Sequence, residues 1–526
     1  MQNELISIKE ASEWISVELN KKVTPSNVSY LVNYGRIKKY GENGNTFVNK
    51  SELLNYYKSF YGKRQLNWKE KLGDDIDWHL SFEQYKESET TKHVHRLHPY
   101  KGKFIPQLVE YFLDDHIDEY KKEVYFQKGD IILDPFCGSG TTLVQANELG
   151  MHAIGIDISS FNSLITNVKV GKYDLVDVNK ELKNIIDELK NYIADSNSLH
   201  FENKLNEELS NFNNKYFPSP DFKRKVRLNE IDEKTYGEQK AKEFLKTYNK
   251  LIEEYGIEIL QEKNNTFLEK WYLKNVRQEI DFVFELIKKI KNTSTKKIAT
   301  IILSRTIRSC RATTHSDLAT LIEPVSTTYY CSKHGKICKP LFSILGWFER
   351  YSKDTIKRIV EFKSLLTDTF QYCFTGDSRT INIFDKAEKL FPDFAKKLKT
   401  QKIKGIFSSP PYVGLINYHE QHEYAYELFG VERNDELEIG PLFKGQGNEA
   451  KESYVNGIAN VLNNAKNFLV DDYDIFLVAN DKFNLYPKIA EKAGMKIVNQ
   501  FKRPVLNRTE KDKNAYSESI FHIKSK

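Results

Sequence analysis

Apolar residues follow two rhythms along this chain. Short runs rich in β-branched and aromatic side chains recur at DIILDPF, HAIGIDI, YCFTGDS, KGIFSSP, YDIFLVAN and SESIFHI, and helical periodicity fills several of the intervals. Strands alternating with helices predict an α/β domain with a mostly parallel sheet. The alternation stops between 171 and 370, where long charged helical stretches such as VNKELKNIIDELKNYI and EQKAKEFLKTYNKLIEEYG take over. This predicts one large helical insertion, dividing the α/β domain into a first part at 96–170 and a second at 371–526. Residues 61–95 are polar and charged and read as a linker. Residues 1–60 form a separate small unit. Its first helix follows Ser7, placed to cap against Glu10, and its second has Thr24 as N-cap, Pro25 at the first helical position and Gly35 near its end. The stretch GENGNTFVNKSELLNYY then reads as a turn with a short strand pair and a third helix.

Composition narrows the picture only slightly. A chain of 526 residues, 40% hydrophobic and 13% aromatic, exceeds one core and predicts several folded domains. No apolar run is long enough for a membrane span, and the N-terminus lacks the basic-then-apolar pattern of a signal peptide, so a cytoplasmic protein without membrane contact is expected. Five cysteines do not make a disulfide framework. A net charge of +6 permits a polyanionic partner without establishing one. Helix, turn, helix, wing and helix in residues 1–60 resemble the winged helix-turn-helix of excisionase and MerR-like proteins.

The stretch DIILDPFCGSGTTLVQANELGMHAIGIDIS carries specific chemistry. A strand ends at Asp134, a turn bearing Gly138 and Gly140 follows, and a helix opens near Thr141. Glycines at that point let backbone approach a ligand at the carboxyl end of the first strand. A second strand ends at Asp157, placed to accept hydrogen bonds from ribose hydroxyls. The string D-P-F-x-G-S-G-T-T is not the dinucleotide pattern G-x-G-x-x-G. It resembles motif I of the DNA amino-methyltransferases, whose loop wraps the methionine end of S-adenosyl-L-methionine (SAM). That resemblance implies cofactor contacts from Asp134, Pro135, Phe136, Gly138, Ser139, Gly140, Thr141, Asp157 and Ile158. Upstream, HRLHPYKGKFIPQLVEYFL resembles the same family's motif X, which implies Lys103, Phe104 and Pro106 near SAM. Asp377, ending the YCFTGDS strand, matches the acidic residue that contacts the adenine.

A second motif follows the GIF strand, at Ser409-Pro410-Pro411-Tyr412. An exocyclic amine on a base is a poor nucleophile because its lone pair is delocalised into the ring. Acceptors that bind both N–H groups push the nitrogen towards a tetrahedral, reactive form. The Ser409 hydroxyl and the Pro410 carbonyl can both accept, two prolines stiffen the loop, and Tyr412 can stack on the base. A target inside a duplex must be flipped out to reach such a pocket. Ser-Pro-Pro-Tyr resembles motif IV of the N4-cytosine and N6-adenine DNA methyltransferases. Serine in first place is commoner in the cytosine branch, so the resemblance implies methylation of cytosine N4, with adenine N6 as the alternative. A DNA-binding regulator with a degenerate methyltransferase fold is the competing reading from another class. Ring-carbon methylation needs a cysteine nucleophile, which this motif lacks.

Together these features predict a Rossmann-like SAM-dependent methyltransferase sheet with a helical insertion and a small N-terminal winged unit. Double-stranded DNA is the expected partner, and the resemblance leaves room for a cognate restriction endonuclease. The insertion is the expected target-recognition region. Within it, Arg305, Arg308 and Arg311 recur at helical spacing and are candidate DNA contacts, or else a solvated basic face. Cys331, His334 and Cys338 supply three zinc-type ligands, with Cys310 or His315 as the fourth, although methyl transfer itself needs no metal. Buried reduced thiols are the alternative. Pro220-Asp221 with Glu238-x-Lys240 fits a nuclease pattern, but the second half falls in a helical stretch, where that chemistry wants a strand.

Overall fold

The computed structural model describes residues 4–19, 22–41, 46–58, 71–73, 75–82, 84–194, 196–315, 321–505 and 516–526. They form two compact units, each assembled from separated stretches of chain. One comprises 1–73, 190–279 and 310–343; the other comprises 74–189, 280–309 and 344–526. No described helix is long and apolar enough to cross a membrane.

The larger unit is organised by a seven-stranded sheet: β1 (Ile131–Asp134), β2 (His152–Asp157), β3 (Gln371–Thr375), β4 (Ile403–Ser408), β5 (Leu469–Ala479), β6 (Met495–Pro504) and β7 (Ser517–Ser525). Their spatial order is β3-β2-β1-β4-β5-β7-β6. β7 runs antiparallel to both of its neighbours, and the other strand pairs are parallel. The sheet is buried on both faces, and alternate residues serve opposite cores. Ile131, Leu133, Ile154, Ile156, Ile475 and Leu477 point into one core. Ile132, Ala153, Phe476 and Val478 point into the other, where Phe112, Leu143 and Phe407 join them. Strand order reverses between β1 and β4, the position at which open α/β sheets bind ligands outside their carboxyl ends.

Four of the helices that pack on the sheet are α1 (Pro106–Leu113), α2 (Thr141–Glu148), α3 (Ser160–Lys169) and α4 (Asn448–Lys466). Proline opens α1, where its missing N–H costs nothing. Ser159 caps α3 by accepting from the Asn162 N–H.

The two units divide the chain differently from the segments read in the sequence. Residues 280–309 and 344–370 belong with the sheet, whereas 190–279 and 310–343 group with the N-terminal stretch. Helical periodicity reports that a face is apolar but not which core receives it. Of the stretch read as a linker, 61–70 lies outside the described residues. Beyond it, Leu80 and Phe82 enter the sheet core. The Asp77 N–H donates to the Lys502 carbonyl at 2.7 Å, and the Asp77 carboxylate accepts the Lys502 N–H at 2.7 Å, tying this stretch to β6.

In the smaller unit, Ser7 with Glu10 and Thr24 with Asn27 form capping boxes at the starts of helices Ile8–Glu18 and Pro25–Asn33. The strand pair differs from the one read inside 41–57. Strand Phe47–Asn49 pairs antiparallel with Leu5–Ser7 at the beginning of the chain, and a helix over 50–58 follows. Such pairing across forty residues leaves no local sequence signature.

Gly405 marks the closest approach of β4 to β5. A Cβ there would lie 2.0 Å from the Asp474 carbonyl oxygen and 2.8 Å from the Phe126 ring. Gly405→Ala is therefore expected to destabilise the protein by about 1–3 kcal/mol through overpacking. Urea unfolding of the two proteins measures this, and an unchanged midpoint contradicts the packing described.

Candidate active site

At the carboxyl ends of β1 to β4 lies a cavity of about 930 Å3, open mouth included. One wall is the loop from Asp134 to Thr141. Gly138 adopts φ +50° and Gly140 φ +76°, a region that favours glycine. The Gly138 N–H donates to Asp157 Oδ2 at 2.8 Å, fixing the loop to the end of β2. From α3, Thr166 donates to the Gly138 carbonyl at 3.2 Å, and the Lys169 ammonium donates to the Ser139 carbonyl at 2.5 Å. Lys169 is only 1% exposed, and burial, with Lys103 adding to it, holds its pKa well below the ordinary lysine value. The loop is thus held in shape from beneath before any ligand arrives.

Two aspartates divide the work. Asp134 is buried, and burial pushes its pKa up to about 6 against the opposing hydrogen bonds from Ser408 and Thr142. Ser408 donates to Asp134 Oδ1 at 2.5 Å, tying the end of β4 to the end of β1. Asp157 also accepts from the Ser159 N–H at 2.9 Å and the Asn162 amide at 3.2 Å, and burial raises its pKa to about 6. Asp377, after β3, is gripped in bidentate fashion by Arg379, while Ser378 donates to the Pro135 carbonyl at 2.6 Å.

Most of the residues singled out in the sequence converge here. Lys103, Phe104, Asp134, Pro135, Phe136, Gly138, Ser139, Thr141, Asp157, Ile158, Asp377, Ser409 and Pro411 all line the cavity. Lys103 donates to the His95 carbonyl at 2.7 Å, and burial lowers its pKa to about 8. Four candidates stand back from the cavity wall. Pro106 is buried as the first residue of α1, Gly140 caps α2, and Pro410 is buried behind the loop. Tyr412 packs against the core of the sheet and donates its hydroxyl to Glu518 of β7 at 2.8 Å.

Part of the lining escaped the sequence reading. It comes from Tyr100, whose ring packs on the glycine loop at Gly138, and from the chain after Pro411, chiefly Tyr418, His419, Tyr426, Glu438 and Ile439. His419 hydrogen-bonds the Glu438 carboxylate through both its backbone N–H and its ring. The available signal was the density of aromatic and histidine residues in NYHEQHEYAY.

The arginine series does not act as one face. Arg305 is 7% exposed, pairs with Asp354 at 2.6 Å and lies over the Tyr351 ring, so its guanidinium is engaged inside the fold rather than displayed to a phosphate. Arg308 belongs to the sheet unit, and Arg311, also buried, to the smaller one. Among the candidate zinc ligands, Cys331, His334 and Cys338 gather with His315, while Cys310 is buried apart from them. The nuclease pattern finds no strand: Glu238 and Lys240 lie on the helix Glu233–Tyr255, and Lys240 pairs with Glu243.

An elongated ligand with a charged amino-acid end, a ribose and an adenine fits this lining. Two carboxylates stand at the ends of β2 and β3, Phe136, Ile158 and Ile439 offer apolar walls, and the buried Ser139 hydroxyl and Asn162 carbonyl have no partner among the described residues. Sheet order, glycine loop and lining together define the class of SAM-dependent methyltransferases. Residues 9–167 match the family model described as DNA methylase. The chain is 48% identical over 526 residues to the type II methyltransferase M.MjaII of Methanocaldococcus jannaschii, spanning 99% of this chain and 97% of that one. It is also 35% identical over 94 residues to the type II methyltransferase M.BsoBI of Geobacillus stearothermophilus, 18% of this chain and 17% of that one. The chain belongs to the N6/N4 DNA methylase family of type II DNA methyltransferases, with SAM as methyl donor.

A side chain at Gly140 would meet Thr166 at 2.5 Å in a backbone conformation that L-residues rarely adopt. Gly140→Ala is expected to weaken SAM binding at least about tenfold and to cost about 1–3 kcal/mol of stability. Calorimetric titration with SAM and a thermal melt measure the two effects, and unaltered affinity contradicts a preshaped loop.

Proposed function

We propose that this protein methylates the exocyclic N4 of cytosine in duplex DNA, as the modification enzyme of a restriction–modification system. The observation that carries this reading is that Ser409 and Pro411 line the same cavity as the Asp134 to Thr141 loop. An amine held by the Ser409 hydroxyl then faces the site where the donor binds, and the Pro410 carbonyl, which stands back from the cavity wall, must turn inward to accept its second N–H. SAM supplies an electrophilic methyl group on a sulfonium. The base amine attacks that carbon directly, the carbon–sulfur bond breaks, and the nitrogen releases its extra proton to solvent. Both N–H bonds of the amine are oriented by neutral acceptors, so its lone pair is turned out of the ring and towards the donor.

Several features support the accompanying assignments. Asp157 stands at the end of β2, where the ribose hydroxyls are expected, and Asp377 at the end of β3, where the adenine is expected. The target base enters from outside the stack, since a paired base cannot reach the cavity. Tyr412, held by Glu518, stiffens the loop rather than lining the cavity, and Tyr418 or Tyr426 supplies the aromatic face for the base. A cognate endonuclease acting on the same duplex sequence is the partner that this role requires. The smaller unit, with its helical segments 190–279, is the candidate reader of that sequence.

Ser409→Ala is expected to lower methyl transfer about 100-fold, comparable to losing one positioned hydrogen bond in a transition state, with SAM affinity little changed. Nucleoside mass spectrometry of the methylated DNA is expected to reveal N4-methylcytosine. N6-methyladenine instead would reassign the base, and the absence of both would overturn the reading. As the carboxylate Asp157 accepts hydrogen bonds strongly on both oxygens, whereas protonation removes the charge and turns one oxygen into a donor; its pKa stands at about 6. SAM affinity should therefore rise with pH through about 6 and level off above it, and Asp157→Asn should flatten that profile. A wild-type affinity that is flat across this window would remove Asp157 from ribose binding.

A further inference from the structure

The smaller unit holds a group of side chains that do not line the active-site cavity. Strands Tyr329–Cys331 and Lys336–Cys338 form an antiparallel hairpin, with His334 in the turn between them. The Cys331 carbonyl accepts the N–H groups of His334 at 3.1 Å and of Gly335 at 2.7 Å, and Gly335 takes φ +64° to close the turn. This folds His334 back so that its Nδ1 lies 3.4 Å from the Cys338 sulfur. The His315 ring arrives from a separate stretch of chain, its centroid 4.3 Å from that of His334. One donor atom from each of His315, Cys331, His334 and Cys338 lies within 4.8 Å of all the others.

We propose that His315, Cys331, His334 and Cys338 form a structural zinc site of two thiolates and two imidazoles. Zinc takes four such ligands tetrahedrally, with Zn–S near 2.3 Å and Zn–N near 2.0–2.1 Å, which places donor atoms about 3.3–3.8 Å apart. The observed spread requires a contraction of about 1.5 Å at most to meet that geometry. Both cysteines are free thiols. Binding releases one proton from each thiol, leaving a neutral site of Zn2+ and two thiolates.

The surroundings are those of a metal site rather than of a buried thiol pair. The Tyr329 hydroxyl lies 2.8 Å from His315 Nδ1 and also accepts the His315 backbone N–H, which orients the ring and leaves Nε2 for the metal. The hairpin is anchored by Asn213, whose amide both donates to the Ile337 carbonyl at 3.0 Å and accepts the Ile337 N–H at 2.9 Å. Lys223 holds the turn through the Ser332 carbonyl at 2.7 Å. The two cysteines are buried while His334 is exposed, which gives the ion an entry path. All four ligands are soft or borderline donors suited to zinc, with no carboxylate or carbonyl that would favour magnesium or calcium. Among the described residues two other groups, His93 with His95 and Glu148, and His419 with Asp435 and Glu438, offer three donors each and no thiolate.

The test uses the full chain, purified without a polyhistidine tag from zinc-supplemented medium and dialysed free of loose metal. Elemental analysis is expected to find about one zinc per chain, and X-ray absorption at the zinc edge is expected to show two sulfur and two nitrogen ligands at the distances above. Cys331→Ser and Cys338→Ser should each lower the zinc content at least about tenfold, while Cys310→Ser retains it. The absorption measurement needs no variant, so a cysteine substitution that fails to fold does not remove the test. Protein that holds no zinc after zinc is supplied overturns the proposal. Zinc coordinated by oxygen, or retained in both the Cys331 and the Cys338 variants, overturns it equally.

Discussion

Everything at the active site depends on how the ends of β1 and β4 are joined. They are neighbours because strand order reverses between them, and the two adjoining loops carry the glycine turn and the Ser-Pro-Pro-Tyr segment. The hydrogen bond from Ser408 to Asp134 locks the last residue of one strand to the last residue of the other. A hydroxyl donating to a buried carboxylate is strong and directional. Both loops border one cavity, and this single contact fixes the separation of the strand ends that carry them. Asp134 is therefore spent on architecture, although it also borders the cavity.

The same economy recurs beneath the glycine loop. Lys169 is buried with its ammonium against a backbone carbonyl, an arrangement that costs solvation and persists because the surrounding fold enforces it. Thr166 and Asp157 complete the cradle by engaging the carbonyl and the N–H of Gly138. Such preorganisation moves the entropy of ordering the loop into the folding of the protein and out of cofactor binding. Shape at this site is consequently a property of α3 and β2 as much as of the loop itself.

The smaller unit solves a different problem. Its helices carry many charged residues, and its hairpin of two three-residue strands has little core of its own. Side-chain bonds from Asn213 and Lys223 to backbone groups compensate, and two thiols and two imidazoles converge in the same place, where the proposed zinc would cross-link them. Segments at 1–73, 190–279 and 310–343 thereby make one body out of three separated stretches of chain.

Local patterns in the amino-acid order determined six of the seven strands of the large sheet, the caps at Ser7 and Thr24, and both motif loops. Each of these depends on residues within about one turn or one strand of one another, where steric and hydrogen-bonding rules act directly. The identity of the chemistry was legible for the same reason, since Asp134 to Thr141 and Ser409 to Tyr412 are contiguous strings. Tertiary structure alone decided what depends on distant pairing. It turned Tyr412 towards Glu518, buried Arg305 against Asp354, gathered His315 rather than Cys310 with Cys331, His334 and Cys338, and brought Tyr100 and Tyr418 into one cavity lining. It also divided the long helical insertion between two cores. An apolar helical face states that burial is required, but which partner buries it is settled only when every other face has found its own.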